Sequence, residues 1–475
     1  MSSFVPHCIT LAHGKRALPS WFWAASAVLS MLSNPTSAAA ESLTDALIKA
    51  YQSNPQLNAE RARQRGTDEN VPQAMAGYRP QVAANLGAGL QAVRDLLPGN
   101  TIQGATLHPW TIGVTVTQVL FNGFKTANSV RVAELQVKSG REALRNVGQG
   151  VLLDAVTAYM DVIANQALLA AQQANVAVLR EILATTHRRL DAGDVTPTDT
   201  AQAEARLNRG LADLNAADVA FAVSKATYTQ IIGEPPLQLL PAAPVDRLSP
   251  DGLLAATEAA THQHPAVVAA GFDVDVAETT IKVAESSLLP TVSAQGSVSR
   301  SRDSDPSLST FATDQASIMG QINVPIYDGG TAASQTRQAK ELATQSRLVL
   351  EQVRNQARTA VASAWVTNEG TKVALTAAES ETRAASVALD GVRREAQGGQ
   401  RTTIDVLNAQ QDLTSARSRQ IQAQHDRVIA SYSLLSAVGR LDVHVLKLNT
   451  PDYLPELHYN QVRDAWRGVR TPSGQ

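Results

Sequence analysis

Two segments of this chain place an aspartate three residues after a threonine: Thr196-Pro197-Thr198-Asp199 and Thr402-Thr403-Ile404-Asp405. Glycines precede both, Gly193 in the first case and Gly398 and Gly399 in the second, where Arg401 also intervenes. Such a mixture is either a catalytic loop or a turn between helices. The spacing fits a capping box with Asp in place of Glu or Gln, hydroxyl and carboxylate each satisfying a backbone N–H at the helix start. Pro197 suits the first helical position. Capping is thus the reading common to both. It leaves room for a function at the turn.

Other reactive groups are sparse. His262 and His264 in Thr-His-Gln-His-Pro have the look of metal ligands, but a turn and helix start is favoured there, for a reason given below. No phosphate-binding glycine loop, nucleophile elbow or H-E-x-x-H pair occurs. The lone cysteine, Cys8, precedes the apolar run near the N-terminus, so no disulfide or thiol chemistry is expected in the exported chain. Arg188-Arg189 and Arg393-Arg394 read as solvated or paired helix charges, with binding of a protein partner as the functional alternative. A net charge of −2 over 475 residues gives no nucleic-acid patch. No enzyme constellation emerges, and neither a metal nor a cofactor is expected.

The elements that hold these residues come twice. Pro55 superposes on Pro265 and Pro80 on Pro290 at an offset of 210. Tyr159 then falls on Trp365, Gly193 on Gly399, Asp199 on Asp405 and Gly233 on Gly439 at 206. His264-Pro265 thereby matches Asn54-Pro55, hence the turn reading. A length change of four residues lies between Pro80 and Gly123 or their counterparts, where a hairpin tip can absorb it. The expected organisation is a leader over 1–40, a first repeat over 41–233, a proline-rich linker over 234–250, a second repeat over 251–440 and a C-terminal segment over 441–475. Lys15 and Arg16, the apolar run and Ala38-Ala39-Ala40 mark the leader, with cleavage after Ala40.

Each repeat should run helix, two strands, long helix, shorter helix. Val82, Ala84, Leu86, Ala88 and Leu90 alternate with smaller or polar residues, as do Trp110, Ile112, Val114 and Val116. The second repeat alternates at Val292, Ala294, Gly296 and Val298, and from Ile318 to Ile326. Strands are placed at about 80–95, 108–124, 290–304 and 316–329. About 10 residues suffice for a tilted strand to cross an outer membrane. A soluble half-buried strand would alternate too, but export and an aromatic content of only 4% leave little core to receive these faces. No membrane-spanning helix is expected after Glu41. From Thr126 to Leu190, and again from Thr331 to Ala396, no proline interrupts. About 65 residues make a helix of nearly 100 Å, a length that implies coiled-coil packing.

The duplicated landmarks, Asn54-Pro55 and His264-Pro265, RPQV and LPTV, FNGF and IYDGG, AVTAY and AVASAW, with the RTTIDVLNAQ tip, resemble the TolC family of outer-membrane channels over essentially the whole exported chain. That resemblance implies a mixed membrane α/β fold, a homotrimer whose twelve-stranded barrel takes four strands from each chain and continues as a long periplasmic α-helical coiled-coil barrel. It implies outer-membrane lipid around the barrel, a periplasmic adaptor, and an inner-membrane transporter of the ABC or another class. The cargo is an exported protein, as in type I secretion, with drug efflux as the alternative. Within the family the resemblance extends to exporters of an adenylate cyclase-haemolysin toxin. A surface coiled-coil scaffold or adhesin is the reading from a different class.

Residue by residue, the family's periplasmic gate falls on Thr198, Asp199 and Arg401, and its gate tyrosine on Ala396. The first tunnel-entrance aspartate falls on Asp405 and the second on Asn408. Arg401 is expected to pair with Asp199 or a neighbouring helix at rest. Gly193, Gly398 and Gly399 form the helix-turn tips where an adaptor would touch.

Overall fold

The computed structural model describes residues 40–475 apart from 98–100, 303–311, 473 and 475. The expected leader therefore lies, but for Ala40, outside the described residues. The first repeat holds α1 (Leu43–Ser53), α2 (Pro55–Asp68), α3 (Asn70–Met75), β1 (Gln81–Ala88), β2 (Gln91–Leu97), β3 (Thr101–Leu107), β4 (Trp110–Asn122), α4 (Lys125–Asp191) and α5 (Pro197–Ile232). The second holds α6 (Leu253–Gln263), α7 (Pro265–Glu285), β5 (Thr291–Arg302), β6 (Thr313–Asn323), α8 (Thr331–Gln397) and α9 (Thr403–Ala437), and α10 (Pro455–Val462) follows.

The four long strands form one antiparallel sheet in the order β1-β4-β5-β6. Its register carries the apolar positions across strands: Val82 faces Val116, Val114 faces Val298, and Val298 faces Ala316. That face is bare, with Val82 68% and Ile318 89% exposed. The opposite face aligns Thr115, Ser297 and Ser317, and the last two hydroxyls lie 2.9 Å apart. Far from the helices the apolar face ends in an ion pair between Arg300 and Asp314, 2.6 Å, beside Ile112.

Gln81 pairs with Thr117, and Thr291 with Asn323. These four positions are related by the same two repeat offsets, so the two copies share one register and their length difference lies in the hairpin tips. There the structure departs from the sequence expectation. The first strand ends at Ala88, and β2 and β3 pair with each other as a separate two-stranded antiparallel sheet. Gly87 and Gly89 weaken the ladder at that point. β6 ends at Asn323 rather than near 329, because Pro325 has no N–H for a ladder and biases the residue before it. Val324 and Ile326 therefore lie past the strand.

Two consecutive left-handed residues join each sheet half to its long helix, Gly123 and Phe124 in the first copy and Gly329 and Gly330 in the second. α4 and α8 each run for 67 residues without a break. α5 folds back along α4 and α9 along α8. The principal core lies where α1, α4, α5 and α9 meet, around Leu47, Leu152, Tyr159, Tyr228, Ile232 and Leu435. By length and composition alone, one 18-residue stretch of α4 is apolar enough to cross a membrane. More than half of it is buried in the protein, and Leu152, Val156 and Tyr159 spend that apolarity on the core.

The repeat also recurs in the packing. Asn54 Nδ2 donates to Ile231 O near the end of α5, and Gly233, at φ 94°, packs on Ser53. Gly439, at φ 86°, abuts His264, whose Cα would lie 2.7 Å from an added Cβ. His264 Nδ1 accepts the Ala266 N–H at 3.2 Å, as Asn54 Oδ1 accepts from Gln56. Burial holds the imidazole below its ordinary pKa and so favours the neutral ring such an acceptor needs. This histidine starts a helix.

Candidate functional site at the helix tips

Both long helices end in the same closure. The Asp194 N–H donates to Arg189 O at 2.8 Å and the Gln400 N–H to Glu395 O at 2.9 Å, the six-to-one bond of a Schellman turn. Gly193 and Gly399 supply the left-handed residue at φ 79° and 74°, where a side chain would be strained. Gly398 is at φ −80° and needs no such freedom. All three glycines are exposed.

The return helices start with full capping boxes. Asp199 Oδ2 accepts from Thr196 N at 2.9 Å and from Thr196 Oγ1 at 2.8 Å. Asp405 Oδ2 accepts from Thr402 N at 3.0 Å and from Thr402 Oγ1 at 2.8 Å. The backbone N–H of the cap residue, then its hydroxyl, holds each carboxyl below its usual pKa. Both remain anionic at neutral pH. Thr198 is exposed one residue before Asp199.

Arg401 does not reach Asp199 in this protomer. Its Nε donates to Glu395 Oε2 at 2.9 Å, two residues before the end of α8. Asp199 is occupied by its own cap. Ala396 contributes its carbonyl, which accepts the Gly399 N–H at 3.2 Å. Asn408 Oδ1 accepts from Arg206 Nη2 of α5 at 3.0 Å. An amide thus joins the two helical hairpins where an aspartate would have brought a negative charge.

Sequence reasoning missed the polar links just behind the tips. Gln410 Nε2 donates to Asn175 Oδ1 of α4 at 3.1 Å, and Arg393 Nη2 of α8 donates to Gln410 Oε1 at 3.0 Å. The Thr414 hydroxyl lies 3.0 Å from the same Asn175 oxygen. Asn175, Gln410 and Thr414 are buried. Their signal was available, because buried Thr403, Leu407, Gln410 and Thr414 follow the four-three spacing of a coiled-coil seam, where a polar residue sets register. Beside them Leu179, Ala203 and Leu407 form a small apolar cluster joining α4, α5 and α9. Further from the tip, His425 Nε2 lies 2.8 Å from Asp161 Oδ1 of α4 and its Nδ1 2.8 Å from Asp426 Oδ1.

These tips can exchange hydrogen bonds and charge contacts. Among the described residues no cluster of three or more His, Cys, Asp or Glu side chains is placed to hold a metal.

Known proteins share this arrangement. Residues 46–234 and 256–440 match the family described as outer membrane efflux protein. The outer membrane efflux protein BepC of Brucella suis is 40% identical over 444 residues, covering 92% of this chain and 94% of its own. Outer membrane protein TolC of Vibrio cholerae is 26% identical over 444 residues, 90% and 96% of the two chains. The crystal structure of the Campylobacter jejuni CmeC outer membrane channel superposes with a TM-score of 0.75 at 14% identity over 89% of each chain. With the repeat matched in both halves and one relative at 40% identity throughout, the chain belongs to the TolC family of outer-membrane efflux channels.

Proposed function

We propose that three copies of this chain form the outer-membrane duct of a tripartite export machine, and that its principal cargo is small molecules. One observation carries the channel reading. The protomer exposes an apolar sheet face while, among the described residues, both outer strands, β1 and β6, have no neighbour on one side. An unpaired backbone edge in lipid costs several kcal/mol per group, so a sheet of this kind must close with copies of itself. Eight strands leave an interior filled by side chains, whereas twelve leave a passage. Efflux draws support from the relative at 40% identity, an outer membrane efflux protein of Brucella suis; protein secretion, including toxin export, is the competing cargo.

In this reading Thr198, Asp199, Arg401 and Ala396 border the periplasmic gate, Asp405 and Asn408 the tunnel entrance, and Gly193, Gly398 and Gly399 the surface met by the adaptor. An inner-membrane transporter, ABC or other, supplies the energy. A deletion strain tests the cargo with two readouts, dye or drug accumulation and the profile of secreted proteins. Raised accumulation with unchanged secretion supports efflux. Lost secretion with unchanged accumulation overturns it in favour of a protein exporter.

A further inference from the structure

The end of the chain is not used by the channel reading. From Pro455 it climbs along α2 and α4 toward the sheet. His458 Nδ1 lies 2.9 Å from the buried Asp68, Tyr459 packs beside Val71 and Val137, and Arg463 stands 3.8 Å from Glu134. It arrives at Arg79, two residues before β1. That guanidinium donates to Ala465 O at 2.6 Å and lies 4.8 Å from the centre of the Trp466 ring.

Past this anchor the side chains turn to solvent. Trp466 is 71% exposed and Val469 fully so, and Arg467 and Arg470 are exposed with no carboxylate partner among the described residues. The height is fixed by Gln118 near the helix end of β4, which donates to Tyr78 O at 3.1 Å. Leu120 and Phe124, large and exposed, sit at this same end. The tail therefore continues the lipid-facing band at its periplasmic rim. A ring with an apolar body and an N–H favours the membrane–water boundary, and basic groups there are drawn to anionic lipid.

We propose that residues 465–470 lie on the periplasmic leaflet of the outer membrane, with Trp466 in the interface and Arg467 and Arg470 on the phosphates of an anionic phospholipid. The inference uses the insertion of the sheet in the membrane but not the identity of the cargo.

The test uses the full-length channel in phosphatidylcholine–phosphatidylglycerol vesicles in which one lipid or the other is brominated near the headgroup. The difference in fluorescence between W110F/W365F and W110F/W365F/W466F isolates Trp466. Quenching should be about twofold stronger with brominated phosphatidylglycerol than with brominated phosphatidylcholine, and R467Q/R470Q should equalise the two. Trp110, isolated in the same way by comparing W365F/W466F with W110F/W365F/W466F, reports sheet insertion. Trp466 unquenched while Trp110 is quenched overturns the proposal alone, a blue-shifted Trp466 then indicating contact with a second subunit. Equal quenching by the two lipids before R467Q/R470Q is introduced overturns the anionic assignment. Both tryptophans unquenched would remove the membrane placement on which the proposal rests.

Discussion

Arg401 Nε donates to Glu395 Oε2 at 2.9 Å, a contact that closes within a single tip. Glu395 lies six residues back in the same chain, and both side chains are about half exposed. Exposed pairs of this kind contribute little to folding. If Arg401 restrains the gate, it does so through whatever the same guanidinium meets across the tunnel. In planar bilayers R401S should therefore raise single-channel conductance while E395Q leaves it at the parental level. Equal increases in both variants would assign the restraint to the pair within the tip.

Gln410 tests whether the polar seam holds the two helical hairpins together. Gln410→Leu leaves the buried Asn175 and the Arg393 guanidinium short of a partner, at a cost of about 1–3 kcal/mol. Removing both amides, in Q410L/N175L, should cost less than the sum of the single changes. Thermal unfolding followed by circular dichroism measures the cycle. Strict additivity would mean that the two side chains do not act together.

Gly439 is constrained twice, by φ 86° and by the backbone of His264 at 2.7 Å from the site of a Cβ. G439A should destabilise the protein by about 2 kcal/mol or more. Gly370, inside α8 with nothing within 4 Å of an added Cβ, gives the opposite sign: G370A should gain up to about 1 kcal/mol. Melting temperatures of the two variants, compared with the parent, check both directions.

His425 makes the link between α4 and α9 sensitive to pH. Burial acts to depress its pKa, but the hydrogen bonds to the Asp161 and Asp426 carboxylates outweigh that and raise it. A group with a raised folded pKa contributes fully below its unfolded value, about 6.5 for histidine, and loses that contribution as pH rises through the folded value. Of the groups around it, Asp161 faces the ring from α4 and Asp426 from α9, with the Gln422 amide 3.3 Å from Nδ1. Stability should fall from pH 6.5 upward, and H425Q should remove that slope. A slope unchanged in H425Q would place the titration elsewhere.

Most of the architecture was legible because its landmarks are local. Pro55 and Pro265, Gly193 and Gly399, and the alternation from Trp110 to Val116 each have a backbone or periodic meaning that needs no partner. The β2-β3 pair was not, since Gly87 and Gly89 mark a weak point without showing that the chain pairs again beyond it. The end of β6 at Asn323 could have been read from Pro325. The tip residues were visible as caps, but the partner of Arg401 was not, because a guanidinium on a long stem reaches several carboxylates. Gln410 and Asn175, 235 residues apart, meet only once two hairpins lie side by side, and no single-helix periodicity contains that.

The capping boxes have a consequence for how such ducts diversify. Each tip satisfies its carboxylate and its helix start within four residues, from Thr196 to Asp199 and from Thr402 to Asp405. Neighbouring outward residues such as Thr198 carry none of that bonding and can be exchanged without unravelling the turn. The tip is in effect a standard fitting with a replaceable face. If adaptors dock at these tips, as proposed, one duct can be recruited by different machines through a handful of substitutions, and its cargo becomes a property of the company it keeps.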